Sequence, residues 1–224
     1  MLITAGPTHE PIDAVRFIGN RSSGRLGIAL ADHAAHCGWA VTLLLGPTSQ
    51  TPSDSRVDLR RFRTTAELDA LLRAAMPHCD VLVMAAAVAD YRPKTTPEIL
   101  GGKFKRMNQT FTLELEPTPD LLAGVAATKR NDQLVVGFAL EPADRLLESA
   151  TAKLHRKGLD LIVANPLDTI DAGTIEAVIL GRDNTHKQTP GAIPKSDFAP
   201  FLLNEIETRA ACCTQPNIAG ARRS

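Results

Sequence analysis

The sequence predicts a doubly wound, Rossmann-like α/β fold: a mostly parallel sheet with helices on both faces and a small antiparallel extension. Three observations lead there. Short apolar runs alternate with amphipathic stretches along the chain, the rhythm of βαβ units. Several of those runs are continuously apolar, as strands buried on both faces require. The segments that follow them are polar or built of small residues, and an open parallel sheet gathers its ligands there.

The first strand covers residues 1–5, and a polar loop follows over 6–23. A helix is expected over about 24–36, because Leu26, Ala29, Leu30, His33 and Ala34 recur at helical spacing and give one apolar face. Gly38 supplies its stop. Residues 40–45 form a second strand and 59–63 a third. Thr64-Thr65-Ala66-Glu67 reads as a capping box opening a helix to residue 76. Residues 81–85 are the fourth strand and run into a small-residue stretch over 85–90. Residues 93–108 are rich in Pro, Gly and Lys and read as a mobile loop. Alternating apolar and charged residues over 111–116 predict a half-exposed strand. A helix opens next, with Thr118 as cap and Pro119 at the first helical position. Two further buried strands, 135–140 and 159–164, flank a helix carrying Lys153 and Lys157. A last short strand lies at 177–180, and 196–211 reads as a closing amphipathic helix. The expectation is one nucleotide-binding domain over 1–211 with a frayed tail at 212–224.

A chain of 224 residues buries about 70% of its unfolded surface and needs no disulfide or metal staple. Its 25 basic and 25 acidic residues balance, which argues against a long-range field for nucleic acid or membrane. Cys37, Cys79, Cys212 and Cys213 form no Cys-x-x-Cys pair, and the six histidines lack zinc-ligand spacing. The first six residues lack the basic start and apolar run of a signal peptide, and no run approaches the ~20 apolar residues that span a bilayer. A cytoplasmic protein with reduced thiols is expected.

Ser22, Ser23 and Gly24 precede a predicted helix, so their hydroxyls and free backbone N–H groups form an anion pocket reinforced by the helix dipole. On composition alone, a plain serine cap is the simpler reading. Residues 19–24 imitate half of a Walker loop, but Arg25 and Leu26 stand where Lys and Ser/Thr are required, which excludes a standard P-loop. The fingerprint Gly-x-Gly-x-x-Gly is absent too. Lys103-Phe104-Lys105-Arg106 is either a solvated charge run or an electrostatic lid over a polyphosphate. Lys153 and Lys157 lie one turn apart on one helix face, where an exposed face is again the plainer reading. Asp90 ends a run of small residues, in position to bind a cation, hold a ligand hydroxyl or cap the next turn.

The order and wording of these signals together are specific. Gly6-Pro7-Thr8-His9-Glu10-Pro11-Ile12-Asp13, then Arg16-Phe17-Ile18-Gly19-Asn20-Arg21-Ser22-Ser23-Gly24, closely resemble the opening of the phosphopantothenoylcysteine synthetases of the bacterial CTP-dependent type. Residues 84–90 with Tyr91-Arg92-Pro93, the basic cluster and Thr118-Pro119-Asp120-Leu121 continue the match. So do Val136-Gly137-Phe138-Ala139 and residues 159–165, so that the resemblance covers about 1–211.

The resemblance implies a ligase of coenzyme A biosynthesis. In that reaction the carboxylate of 4'-phosphopantothenate attacks the α-phosphate of CTP and releases pyrophosphate; the amine of L-cysteine then opens the acyl-cytidylate, giving the amide and CMP. Magnesium would be held mainly by the nucleotide rather than by a protein cage. Residue by residue, Asn20 resembles the asparagine that contacts the acyl phosphate, and Lys103 the lysine that assists cytidylate formation. Gly6, Ser22, Gly24, Gly27, Asp90, Lys103, Pro119, Asp120, Leu121, Leu122, Phe138, Lys153, Lys157 and Asn165 match nucleotide contacts. Ala86, Ala87 and Asp90, with Asn20, match the segment holding the pantothenate arm. Arg16 matches an arginine that reaches the substrate from the neighbouring subunit, which implies a homodimer.

The chain departs from the pattern in three places. Arg106 replaces the usual last lysine of the basic cluster, the stretch between Asp90 and Lys103 is longer, and Leu140-Glu141-Pro142 replaces a commoner Ala-Glu-Thr. The flavin-dependent decarboxylase domain often fused ahead of this one is missing from the sequence, so a standalone synthetase or an excised half is expected, with a separate phosphopantothenoylcysteine decarboxylase as a possible associate. Two rivals share the fold class. A short-chain NAD(P) reductase needs Tyr-x-x-x-Lys, yet Thr95 stands four residues after the single tyrosine, Tyr91. A non-catalytic nucleotide-binding dimer module is the other; Asn20, Asp90 and Lys103 argue against it.

Overall fold

The computed structural model describes residues 1–94, 101–103, 108, 110–170 and 172–213. Lys105, Arg106 and the tail beyond 213 lie outside them. The first half holds β1 (Leu2–Ala5), β2 (His9–Pro11), β3 (Phe17–Gly19), α1 (Arg25–His36), β4 (Thr42–Leu45), β5 (Asp58–Arg61), α2 (Thr65–Ala75), β6 (Val81–Met84) and β7 (Tyr91–Pro93). The second holds β8 (Leu115–Pro117), α3 (Leu121–Thr128), β9 (Leu134–Glu141), α4 (Leu146–Arg156), β10 (Leu161–Pro166), β11 (Thr174–Ile175), β12 (Val178–Gly181), β13 (His186–Gln188), β14 (Ile193–Pro194) and α5 (Lys195–Cys213).

Among these, β5-β4-β1-β6-β9-β10 form one parallel sheet, extended by antiparallel β12 and β13. Counted along the chain, the six parallel strands follow the order 3-2-1-4-5-6, that of the dinucleotide-binding folds. The chain leaves β1 in one direction through β4 and β5, then crosses back to β6 on the other side. That reversal opens a crevice beyond the carboxyl ends of β1 and β6.

Alternate residues of the central strands serve two cores. Ile3, Leu43, Val83, Val136 and Val163 face α1 and α5, whereas Leu2, Leu44, Leu82, Val135 and Ile162 face α2, α3 and α4. Burying each such side chain is worth about 1.5–3 kcal/mol, which explains why these strands are apolar at successive positions. The predicted parallel sheet, with helices on both faces and an antiparallel extension, is the architecture found.

Local predictions met mixed outcomes. Thr64 caps α2 by accepting from the Glu67 N–H at 3.2 Å, but the Glu67 carboxylate reaches one residue further back, to the Arg63 N–H at 2.6 Å. The apolar face of α1 is rotated from the predicted one: Gly27, Ile28, Ala31 and Ala35 are buried with Leu30 and Ala34, while Leu26, Ala29 and His33 are only partly covered. Close packing explains the rotation. A Cβ on Gly27 would sit 2.5 Å from the Cβ of Ala5, so the helix lies on β1 through its smallest residues.

The loop predicted over 6–23 contains the β2–β3 hairpin. Its order comes from Asp13, whose buried carboxylate accepts the N–H groups of Val15 (2.9 Å) and Arg16 (2.7 Å) and pairs with the Arg16 guanidinium. The predicted strand over 111–116 shrinks to Leu115–Pro117, paired with Tyr91–Pro93 away from the main sheet. The cap of α3 is Asp120, not Thr118: the Asp120 carboxylate accepts the Ala123 N–H at 3.1 Å, and the Thr118 hydroxyl donates to the Ala89 carbonyl instead. Nor is the strand near 178 the last, since β13 and β14 follow; both are short and polar or half-exposed, so no apolar rhythm announced them.

Candidate active site

The floor of the crevice is built from two backbone segments zipped together. Ala86 donates its N–H to the Thr4 hydroxyl at 3.1 Å, and Ala87 donates to the Gly6 carbonyl at 2.9 Å. Thr8 returns its own N–H to the Ala87 carbonyl at 3.2 Å, while its hydroxyl takes the Ala89 N–H at 2.9 Å. Thr4 and Thr8 are fully buried, so these bonds are shielded from water. Small side chains at 85–87 and 89 allow the two backbones this close approach. The Asn20 amide, arriving from β3, donates to the Val88 carbonyl at 2.9 Å and sits on the rim of this floor.

The N-terminus of α1 forms one wall. Gly24 caps it in the left-handed region (φ 72°), a conformation that favours glycine, and no side chain caps the first turn. Ser22 and Ser23 line the cleft beside those N–H groups rather than capping them, so the plain serine cap is not what this segment forms. Uncapped N–H groups and the helix dipole make this end suited to an anion. The cleft measures about 620 Å³.

A side pocket of about 200 Å³ adjoins it, sharing Ala86, Val88, Asp90, Phe138 and Lys153. Here the Lys157 ammonium pairs with Asp120 at 2.7 Å, and the Lys153 ammonium donates to the Phe138 carbonyl at 2.8 Å. Burial works to raise the Asp120 carboxyl, yet the hydrogen bonds from Lys157 and from the helix N–H outweigh it and hold Asp120 below the usual carboxylate range. Burial first, and then the Lys157 charge, push the Lys153 ammonium below the ordinary lysine value. Two lysines, fixed in place before any ligand arrives, therefore stand beside an aromatic ring and an exposed carboxylate, Asp90.

The family model for the DNA/pantothenate metabolism flavoprotein C-terminal domain matches residues 1–209. The chain belongs to this family. A coenzyme A biosynthesis bifunctional protein, CoaBC, of Mycobacterium tuberculosis is 44% identical over 226 residues, covering 96% of this chain and 53% of the relative. A cysteine/cysteine sulfinic acid decarboxylase from an unknown prokaryotic organism is 47% identical over 173 residues, covering 77% of this chain and 47% of the relative. The chain thus spans about half the length of the curated relatives it matches. The crystal structure of a CoaBC C-terminal domain superposes with a TM-score of 0.79 at 33% identity, covering 94% of this chain and 95% of that one.

Within this chain, most of the predicted site residues converge. Asn20, Ser22, Gly24, Gly27, Ala86, Ala87, Asp90, Phe138, Lys153 and Asn165 line the cleft, and Pro119, Asp120, Leu121, Leu122 and Lys157 line the side pocket. Gly6 is buried beneath the floor and acts through its carbonyl. Arg16 stands on the β2–β3 turn, held by Asp13, and is not among the residues lining this chain's own cleft. Lys103 is exposed; Gly102 before it accepts the Ala14 N–H at 3.0 Å, which sets it near the same turn.

Sequence reasoning missed Lys195 and Thr169, which also line the cleft; Leu140, singled out in the sequence as a departure from the family pattern, lines it too. One signal was available for Lys195. It is a cation at the first position of a long helix, where the dipole disfavours positive charge. Among the described residues there is no group of three or more His, Cys, Asp or Glu side chains able to cage a metal, and no helix long and apolar enough to cross a membrane.

Proposed function

We propose that this chain is the phosphopantothenate–cysteine ligase of coenzyme A biosynthesis, using CTP through an acyl-cytidylate and releasing CMP and pyrophosphate. One observation supports the reading above others: Asn20, Asp90 and Phe138, from three segments far apart in sequence, line one cleft at the switch point of the sheet. The α1 N-terminus with Ser22 and Ser23 suits the triphosphate, and the side pocket with its two lysines suits the rest of the nucleotide. Asn20 provides an uncharged donor for oxygen charge that develops at the acyl phosphate, on a floor that is already ordered. Lys103 is assigned to assist the first step.

Magnesium would travel with the triphosphate. Among the described residues lining the cleft, one carboxylate, Asp90, stands in the same wall as Lys153, which fits a metal brought in by the nucleotide better than one caged by the protein. The metal would offset triphosphate charge. The nucleotide panel in a ligation assay tests the reading: amide formation from phosphopantothenate and cysteine is expected with CTP. Failure with every nucleotide, while binding persists, would leave only a nucleotide-binding module.

The active form is proposed to be a homodimer. Val15 (59% exposed), Phe17, Tyr91 (56%) and Leu115 are large apolar side chains on the two hairpins, and β2 lies against β7. Such an apolar patch beside Arg16 suits a second copy of the chain. Phe17→Asp should yield a monomer with little activity in analytical ultracentrifugation and assay; a monomeric wild-type protein that is fully active contradicts the assignment.

Lys153 gives the site a pH signature. Because its pKa is lowered in the folded chain, its charge is lost on raising the pH sooner than that of an ordinary lysine. The folding penalty of that charge is present below the lowered pKa and fades as pH rises toward the unfolded value. Nucleotide affinity, to which this charge is proposed to contribute, should therefore fall through the alkaline range. Lys153→Arg, which keeps its charge, should flatten that fall. Superimposable pH profiles of Kd for the two proteins would remove Lys153 from the nucleotide's contacts.

A further inference from the structure

Lys195 is not part of the predicted site, yet the fold goes to some length to bring it there. Thr174–Ile175 pairs antiparallel with Ile193–Pro194, and the Lys195 N–H closes on the Gly173 carbonyl at 3.0 Å. This short ribbon pins the start of α5 against the segment that follows β10. The Lys195 ammonium thereby stands 3.3 Å from the Thr169 carbonyl, in the cleft wall that also holds Asn165. The α1 N-terminus and Ser22 line the same cleft.

A lysine at the first helical position adds its charge to the positive end of the helix dipole, and both draw an anion into the cleft. The anion-suited end of the cleft and this cation line one space of about 620 Å³; Lys153 lines both that space and the adjoining side pocket, and Lys157 lines the side pocket alone. We infer that Lys195 contacts the β- and γ-phosphates of the nucleotide and stabilises the pyrophosphate that leaves. The inference rests on the ligase reading above. In the first step the substrate carboxylate oxygen bonds to the α-phosphorus as the bond from that phosphorus to the α,β-bridging oxygen breaks. The electron pair stays on that oxygen, so the leaving pyrophosphate gains negative charge, and a cation fixed at that end lowers the barrier.

The test compares CTP with CMP by isothermal titration on the full chain. For Lys195→Ala, CTP binding is expected to weaken by about 10–100-fold, the range of one charge-assisted hydrogen bond, with CMP binding unchanged. Lys195→Arg should recover most of the CTP affinity. The rate of pyrophosphate release should fall in step with CTP affinity or more. Equal weakening of CTP and CMP, or a loss confined to melting temperature, assigns Lys195 to the architecture and overturns the inference. So does CTP binding unaffected by the alanine change. A wild-type chain that binds no nucleoside triphosphate removes the ligase reading itself, and Lys195's role with it.

Discussion

Asn20→Asp is expected to slow the cysteine step by about 100-fold or more while the first step proceeds, so that acyl-cytidylate accumulates. The magnitude is that of losing one donor aimed at developing oxygen charge. The structure explains why the change should be selective. The Asn20 side chain is exposed and spends its amide on the Val88 carbonyl at 2.9 Å, so little of the fold depends on it. Aspartate offers that carbonyl a second acceptor and offers the intermediate a negative charge where it needs a donor. Rapid-quench separation of the cytidylate from the amide product measures both steps. If both slow equally, Asn20 orients substrate rather than serving the second step.

Gly27→Val is expected to cost about 1–3 kcal/mol of stability, the usual penalty for overpacking. For a chain of this size that lowers Tm by roughly 2–4 °C per kcal/mol. Even the β-carbon would stand 2.5 Å from the Ala5 Cβ, 3.3 Å from the Thr4 carbonyl oxygen and 3.4 Å from the Ala5 Cα. Backbone of β1 cannot yield there, because Thr4 and Gly6 also hold the cleft floor. The helix must retreat instead, and its N-terminus moves with it. Nucleotide affinity should therefore fall together with Tm, although Gly27 carries no side chain to contact a ligand. Calorimetry and titration on the same variant measure the pair; an unchanged Tm would contradict the close packing.

The parts legible in the sequence are those where burial dictates residue type. β1, β4, β6, β9 and β10 are covered on both faces, and their continuous apolar runs follow from that. Asn20, Asp90 and Phe138 could be picked out for a different reason: they sit in segments whose order and wording are specific, Asn20 directly after β3, Asp90 directly before β7 and Phe138 within β9. Illegible features depend on single polar contacts or distant pairings. Asp13 rather than an apolar rhythm orders the β2–β3 hairpin. Thr118 was displaced as cap because the Ala89 carbonyl claims its hydroxyl across 29 residues. Lys195 is brought to the cleft with the help of the β11–β14 pairing, which spans about twenty residues of chain with no strong alternation.

On the proposed ligase reading, this cleft converts an unreactive carboxylate into a mixed anhydride. The most direct measurement is pyrophosphate release from CTP with phosphopantothenate present and cysteine withheld. The expected result is release that depends on phosphopantothenate and leaves an acyl-cytidylate open to the later addition of cysteine. Pyrophosphate that appears only once cysteine is added, or none with any nucleotide, would contradict it.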